Sequence, residues 1–347
     1  MSSRWKESVA ALKSGLNLTS SDAQWFMREI LEGRAEATDL SEFLIALKNK
    51  GETSEEVGAF VEEMFNHSAP INLTQRAVDT VGTGGDGAHT INISTTAAII
   101  AAAAGARVVK HGNRASSSKS GAADLLEALG VNISLDGLGV EKTVSELGIG
   151  FCFAQKFHPA MKNAAAVRKE LGVPTVFNIL GPLANPAKPK AAAIGVANDR
   201  MHLVMAQVLG DRGVDGFVFR GDDGLDEITL ATTTSVLSIG NGTISSDRIE
   251  PSDFGLEFAP ISALVGGDAE ENAGITRAIF AGEHGAPRDA VLLNAAAAIA
   301  AFEGDLDSDI HQRLQAGLKR AATAVDTGKA TSLLNQWVTL TQNLASI

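Results

Sequence analysis

Hydrophobic and polar positions divide this chain into two parts. Up to residue 72 the apolar residues recur at helical spacing, as at Val57, Phe60, Val61 and Met64, and glycine or proline separates the helical segments. From Ala77 onward, short apolar segments alternate with longer helical ones, which favours a largely parallel sheet. The pattern therefore predicts an α/β protein with a small N-terminal all-helical domain and a larger domain whose central, mostly parallel sheet is surrounded by helices.

Three local patterns in the α/β part predict specific elements. Residues 229–249 alternate in polarity around Asn241-Gly242, which is typical of a β-hairpin turn. Residues 271–301 are predicted to be helical. The Gly181-Pro182 pair predicts a sharply bent connection after a short apolar stretch.

Composition narrows the class of protein. The 347 residues carry a net charge of −12, which argues against sequence-independent nucleic-acid binding. No uninterrupted apolar run reaches the roughly 18 residues of a membrane span, and the charged residues 1–7 do not resemble a secretory signal. The single cysteine, Cys152, lies between two phenylalanines and is predicted to be a buried thiol. A cytoplasmic location without membrane or nucleic-acid partners is expected.

A glycine-rich loop and a basic cluster carry the chemistry. Gly82-Thr83-Gly84-Gly85-Asp86 follows a short apolar strand, and small hydroxyl residues then open an alanine-rich helix. The next strand ends in Lys110-His111-Gly112-Asn113-Arg114. Loop amides, a helix N-terminus and the cations Lys110, His111 and Arg114 all favour negative charge. Together they predict an anionic, phosphate-bearing ligand.

The glycine spacing also permits a dinucleotide-binding loop through Gly82, Gly84 and Gly87. Two features argue against that interpretation. Residues 89–93 separate the third glycine from the helix, and Lys110-His111 stands where an acidic ribose-binding residue belongs. An NAD enzyme is therefore not favoured.

The motifs Gly82–Asp86, Asn92–Thr95 and Lys110–Arg114 together resemble the anthranilate phosphoribosyltransferase family. The resemblance continues through residues 175–186 and 288–295. That family belongs to the nucleoside phosphorylase/phosphoribosyltransferase class, whose members have an N-terminal helical domain. The resemblance implies transfer of the phosphoribosyl group from 5-phosphoribosyl 1-diphosphate (PRPP) to the amino group of anthranilate, giving N-(5-phosphoribosyl)anthranilate and diphosphate in L-tryptophan biosynthesis.

The same resemblance implies a domain organisation and an assembly. Residues 1–72 would form the helical domain, to which about 166–187 returns as a hinge and helical segment. Residues 73–165 and 188–347 would form the PRPP-binding α/β domain. A homodimer through the helical domain is expected.

The resemblance also implies site residues, and none of them is assigned as a dedicated general base. Anthranilate would contact Gly82, Asn113 and Arg168. Magnesium, two ions per active site, would bind Ser94, Asp226 and Glu227. The residues expected to contact PRPP are Gly82, Gly85, Asp86, Thr90, Asn92, Ile93, Ser94, Thr95, Lys110, His111, Gly112, Asn113, Arg114, Ala115, Ser116, Ser117, Ser118 and Ala122. Ala122 replaces a serine that is usual in the family.

Taken alone, several of these residues have simpler interpretations. Asp226-Glu227 could be a solvated loop, and Arg168 a surface arginine. His111 is expected to be neutral because Lys110 and Arg114 oppose its protonation, and His158 is expected to be structural. The pair Asp222-Asp223 resembles the acidic pair of the commoner phosphoribosyltransferase class, but it lacks the following threonine-glycine loop and is predicted to be a turn.

Two other functions remain open from the sequence. A pyrimidine-nucleoside phosphorylase shares the architecture and a related Lys-His-Gly loop, although its glycine-rich signature differs. A non-enzymatic nucleic-acid-binding protein of the same fold is disfavoured by the net charge and by the intact Asp226-Glu227 pair.

Overall fold

The computed structural model describes residues 3–115, 118–306 and 308–345. The N-terminal part is helical, as the pattern predicts. Its four helices are α1 (Ser3–Lys13), α2 (Ser20–Leu31), α3 (Ala37–Lys50) and α4 (Ser54–Asn66). The first of them places Trp5, Val9 and Leu12 in the core, where Trp5 meets Phe26 edge-to-face.

The rest of the chain is built on a seven-stranded sheet. Its strands are β1 (Val78–Gly82), β2 (Val108–Gly112), β3 (Ile149–Phe153), β4 (Ala191–Gly195), β5 (Asp215–Gly221), β6 (Thr234–Gly240) and β7 (Thr243–Ile249). Their spatial order is β3-β2-β1-β4-β5-β6-β7. The first five are parallel, and β6 and β7 add antiparallel pairs. The predicted fold class is confirmed.

Helices cover both faces of this sheet. They are α5 (Ile93–Ala103), α6 (Ala122–Ala128), α7 (Gly137–Leu147), α8 (Ala154–Phe157), α9 (Lys162–Leu171), α10 (Phe177–Leu183), α11 (Asp199–Asp211), α12 (Ala269–Phe280), α13 (Ala286–Glu303), α14 (Ile310–Asp326) and α15 (Lys329–Ala345). Short 3-10 turns occur at Pro159–Met161, Pro251–Phe254 and Ile261–Leu264. Within the described ranges, no helix combines the length and the apolarity that crossing a membrane requires.

Two large apolar clusters cover the two faces of the sheet, and different sets of helices form them. On one side, the alanine-rich helices α5 and α13 pack against the strands, because small side chains allow a close approach. On the other, residues of α1–α4 form one continuous cluster with α9, α10, α11 and the strand residues Ile194 and Val218. The helical domain therefore shares its core with one face of the sheet.

The chain order changes direction at β1, which has β2 on one side and β4 on the other. Parallel sheets bind ligands at the carboxyl ends of strands that flank such a switch point. The loops after β1, β2, β4 and β5 are thus brought to one edge.

Two predicted elements differ from the structure. Residues 271–301 form two helices instead of one, because the chain turns at Gly282 (φ 94°) and Gly285 (φ 133°). Gly181-Pro182 is not a bent connection but lies inside α10. Pro182 removes one helical hydrogen bond from this short helix, which burial of Leu180 and Leu183 holds in place.

The predicted hairpin is confirmed, with a shorter first strand. Asn241 and Gly242 both have positive φ, 50° and 72°, as a type I′ turn requires. The strand begins only at Thr234, because the preceding residues are in a turn where the Thr229 hydroxyl donates to Asp223 Oδ2 at 2.6 Å.

Candidate active site

Two glycines allow the acidic loop after β5 to lie across the ends of β1 and β4. A Cβ atom on Gly82 would be 2.2 Å from Asp226 Oδ2, and one on Gly195 would be 1.7 Å from the Asp226 carbonyl oxygen. Either contact is far below van der Waals distance. These strand ends therefore require glycine, and the Asp226-Glu227 loop is folded over the edge rather than solvated.

Both carboxylates of this loop are buried and face the predicted binding loops. Asp226 Oδ2 accepts a hydrogen bond from the Gly84 amide at 2.5 Å, and Glu227 Oε1 accepts one from the Ser94 amide at 3.1 Å. Among the described residues, Glu227 Oε2 has no hydrogen-bond partner although it is inaccessible to solvent. The pair thus joins the glycine loop to the N-terminus of α5.

Burial makes these carboxylates difficult to ionise. Desolvation, followed by the charge of Asp86, raises the pKa of Asp226 to about 7. Burial and the neighbouring Asp226 charge raise the pKa of Glu227 well above its usual range. A nearby cation would favour the charged form of both groups.

Lys110 is a buried cation beneath this acidic pair. Its Nζ donates to the Thr80 carbonyl at 2.5 Å and to Ser94 Oγ at 3.3 Å, and only 2% of the residue is exposed. Burial lowers the pKa of Lys110, while Asp79, Glu227 and Asp226 oppose that shift. Its charge is therefore balanced mainly within the protein.

His111 follows Lys110 in β2, so its side chain lies on the other face of the sheet. Its Nδ1 donates to the Gly181 carbonyl at 2.8 Å, and its ring meets that of His158 edge-to-face. Burial, then His158, lowers the pKa of His111 to about 3. The imidazole is neutral as predicted, but the expected cause was incomplete: Arg114 does not take part, and a cationic role for His111 is wrong.

Arg114 is held by acidic residues of its own neighbourhood. Its guanidinium contacts Asp124 at 2.9 Å and Glu127 at 2.5 Å and lies over the Phe153 ring. These two carboxylates balance the charge of Arg114 in the structure, and its contact with PRPP stays a prediction. Asp124 Oδ2 also accepts from the Ala115 amide at 2.9 Å.

The remaining predicted residues of the basic loop occupy defined positions. Asn113 Oδ1 accepts from the Arg114 amide at 2.8 Å, and Ser118 Oγ donates to the Ser120 carbonyl at 3.2 Å. Ala122 begins α6 next to Gly112. The predicted Ser116 and Ser117 lie outside the described residues.

The glycine loop offers mainly backbone groups. Gly84 and Gly85 are exposed with φ of 72° and 84°, and Asp86 Oδ1 accepts from the Ala88 amide at 3.1 Å. The side chains of Ile93 and Thr95 are buried, so these two residues can reach a ligand only through the backbone. Thr90 is half-buried, and the side chain of Asn92 is half-buried next to Ser120. These residues stay predicted contacts.

Arg168 differs from Arg114 in having no carboxylate partner in the described parts of the chain. It lies in the last turn of α9, half-buried, with its guanidinium 5.3 Å from the Phe177 ring centroid. Burial lowers its pKa from the usual range. The side chain is thus a partly desolvated cation that remains available to an anion.

The sequence interpretation missed a buried pair that supports β2. Asp79 accepts from the His111 amide at 3.2 Å and from Asn185 Nδ2 at 2.8 Å, and Asn185 also donates to the Val109 carbonyl at 2.8 Å. Burial raises the pKa of Asp79 to about 6, against the opposing charge of Lys110. An aspartate within an apolar strand was the available signal, since buried carboxylates require partners.

Family models match both parts of the chain. Residues 74–331 match the a/b domain of a glycosyl transferase family, and residues 6–68 match the helical bundle domain of the same description. Together with the helical domain and the seven-stranded sheet, these matches define a two-domain glycosyl transferase.

Individual relatives identify the family more specifically. The anthranilate phosphoribosyltransferase of Rhodococcus jostii is 49% identical over 99% of this chain and 94% of its own length. The crystal structure of the Thermus thermophilus enzyme aligns with TM-score 0.89 and 40% identity over 96% of this chain and 99% of its own. The Saccharomyces cerevisiae enzyme in complex with PRPP and Mg aligns with TM-score 0.89 and 28% identity over 100% and 99%. The chain belongs to the anthranilate phosphoribosyltransferase family.

The neutral state of His111 predicts a pH-dependent stability. Its folded pKa, about 3, lies below the unfolded value of about 6.5, so stability is present at neutral pH and is lost as pH falls between those values. His111→Asn retains a donor for Gly181 but removes this titration. Between about pH 7 and about pH 5, the free energy of unfolding of the variant should fall by about 2 kcal/mol less than that of wild type. Urea denaturation at the two pH values provides the measurement.

An identical pH dependence in His111→Asn and wild type would contradict a neutral buried imidazole.

Proposed function

We propose that this chain transfers the phosphoribosyl group of PRPP to the amino group of anthranilate, giving N-(5-phosphoribosyl)anthranilate and diphosphate in L-tryptophan biosynthesis. The observation that carries the proposal is the buried Asp226-Glu227 pair, which joins the glycine loop to the N-terminus of α5. It occurs in a chain that belongs to the matching family over nearly its whole length.

The acidic pair fits magnesium. Glu227 Oε2 is buried without a partner in the described structure, and Ser94 brings a hydroxyl to the same place. Magnesium prefers oxygen ligands and usually keeps water and substrate phosphates in its shell, so two protein carboxylates suffice. We propose Ser94, Asp226 and Glu227 as ligands of two ions. Magnesium would neutralise charge on the diphosphate as it departs.

Backbone amides, rather than exposed basic side chains, would hold the phosphates. Arg114 is neutralised by α6, His111 is uncharged, and Lys110 is embedded among carboxylates. The Gly84 and Ser94 amides already donate to Asp226 and Glu227, so the phosphate donors would be other amides of the exposed glycine loop, such as Gly85, and of the first turn of α5, such as Thr95. The charge of the leaving group would then be stabilised by these amides together with the metal.

Arg168 is the residue we propose for the carboxylate of anthranilate, with Asn113 and Gly82 beside it. Its guanidinium is partly desolvated and has no carboxylate partner in the part of the chain that is described. A planar guanidinium can bind a carboxylate through two hydrogen bonds. The aromatic amine loses its proton after the new bond forms. No protein base is assigned, and the pKa of His111, about 3, argues against that role.

Three wider aspects complete the proposal. A homodimer through the helical domain is proposed because the resemblance to the family implies it. A cytoplasmic location is supported by the single buried thiol, Cys152. Domain closure would use a hinge within residues 171–186, where His111 and His158 hold the Gly181 and Ala184 carbonyls.

The fluorescence of anthranilate tests the proposed reaction. Purified protein, PRPP and Mg²⁺ together should cause the signal to decay, and omission of any one should prevent it. If the fluorescence does not decay in the complete mixture although the protein is folded, the proposal is contradicted. Phosphate-dependent cleavage of thymidine or uridine would instead identify a nucleoside phosphorylase, and a DNA mobility shift at moderate salt would identify a nucleic-acid-binding protein.

Removal of the Arg168 guanidinium should impair the use of anthranilate more than the use of PRPP. Arg168→Ala should raise KM for anthranilate by about 10- to 150-fold, the effect of losing a charged hydrogen bond of roughly 1.5–3 kcal/mol. KM for PRPP should change far less. Steady-state kinetics with each substrate varied in turn provide the measurement.

The neighbouring Lys169, which is exposed on the same helix, supplies a matched control. Lys169→Ala should leave both KM values near wild type. If Arg168→Ala impairs the use of both substrates equally, the role of Arg168 in anthranilate binding is wrong.

A further inference from the structure

A segment outside the predicted motifs supports the proposed PRPP loop from behind. Ile91 N donates to the Leu264 carbonyl at 2.8 Å, and Gly266 N donates to the His89 carbonyl at 2.9 Å. A Cβ atom on Gly266 would lie 2.9 Å from Ile91 Cα, so the two backbones touch. The loop that leads into α5 is thus fixed to the chain that leads into α12.

Asn272 lies where these two segments meet. It is in the first turn of α12, and only 2% of it is exposed. Its Oδ1 accepts from the Gly267 amide at 2.8 Å, and its Nδ2 donates to Asn92 Oδ1 at 2.9 Å. A backbone N–H can only donate, so Gly267 determines which end of the Asn272 amide faces Asn92.

Asn272 and the Ser120 carbonyl together determine the orientation of Asn92. The Asn92 oxygen accepts from Asn272 Nδ2 and from Ser120 Oγ, the latter at 3.1 Å, so both of its lone pairs are used. Asn92 Nδ2 donates one hydrogen to the Ser120 carbonyl at 3.0 Å. One N–H of Asn92 then remains, and it is a donor, as a phosphate or ribose oxygen requires.

We propose that Asn272 is a positioning residue for PRPP binding: anchored by the Gly267 amide, it fixes the side-chain amide of Asn92 so that a donor faces the substrate. The inference rests on the proposed function, because it takes Asn92 as a PRPP contact. Asn272 itself acts only through Asn92.

The isosteric variant Asn272→Asp tests this chain of orientations. A carboxylate still accepts from Gly267 and is favourable in the first turn of a helix. Toward Asn92, however, it presents an acceptor, so the Asn92 amide either keeps its orientation with two oxygens opposed or rotates by a half-turn and loses its bond to the Ser120 carbonyl. In both cases the Asn92 donor is no longer held in place for substrate oxygens. KM for PRPP should rise about 10-fold or more, while KM for anthranilate at saturating PRPP stays within about twofold.

Thr276→Val is the matched control. The Thr276 hydroxyl makes a buried hydrogen bond of 3.0 Å to Thr96, which joins the same two helices without touching Asn92. The control should lower Tm and leave KM for PRPP unchanged, because it weakens the α5–α12 contact alone. Equal changes in KM for PRPP in both variants would show that Asn272 is merely structural and overturn the proposal.

Asn272→Ala gives an independent measurement if Asn272→Asp does not fold. It removes the Asn272 donor to Asn92 Oδ1 and should raise KM for PRPP several-fold without affecting KM for anthranilate. An unchanged KM for PRPP in either folded variant overturns the proposal. Absence of turnover by wild-type protein would instead refute the proposed function, so the two failures are distinguishable.

Discussion

The buried ammonium of Lys110 is the constraint on which the rest of the site depends. Three carboxylates, those of Asp79, Asp226 and Glu227, lie close enough to act on its charge. A buried cation is tolerated only with such partners, and the partners in turn are tolerated because of the cation. This mutual dependence draws the loops after β1 and β5 and the start of α5 to one point at the edge of the sheet.

The glycines at that edge follow from the same constraint. Gly82 and Gly195 leave room for the backbone of Asp226, whose side chain then accepts from the Gly84 amide. On the opposite side of β2, the Asp79–Asn185 pair fixes the strand that carries Lys110. The site is therefore rigidly supported from below, and its exposed surface is mostly glycine-loop backbone.

The position of the site could be predicted from sequence, since the strand-loop-helix order and the family motifs at Gly82–Asp86 and Lys110–Arg114 place it at one sheet edge. The interactions of the individual cationic side chains could not be predicted from sequence. Arg114 is neutralised by Asp124 and Glu127 on another element, and only the folded structure shows that pairing. Lys110 and His111 fall on opposite faces because adjacent strand residues alternate, and the sequence interpretation grouped them as one basic cluster.

The helix break at Gly282 and the helix containing Pro182 were missed for a related reason. Local signals were weighed without the packing that overrides them: positive φ at Gly282 and Gly285 ends α12 and starts α13, and buried leucines stabilise α10 despite the proline. Asn272 carried no local signal, because its role depends on Asn92 and Gly267 meeting in space.

The account makes the Asp226-Glu227 pair, with Ser94, the protein's contribution to a metal-assisted phosphate site, and calorimetric titration of PRPP with and without Mg²⁺ in a Glu227 variant tests this most directly. Wild-type protein and Asp222→Asn, a change at a nearby carboxylate that is held by Ser235 and Arg248, should both bind PRPP more tightly when Mg²⁺ is present. In Glu227→Gln that gain should disappear, because the buried oxygen without a partner is lost. An equal gain from Mg²⁺ in all three proteins would contradict the account.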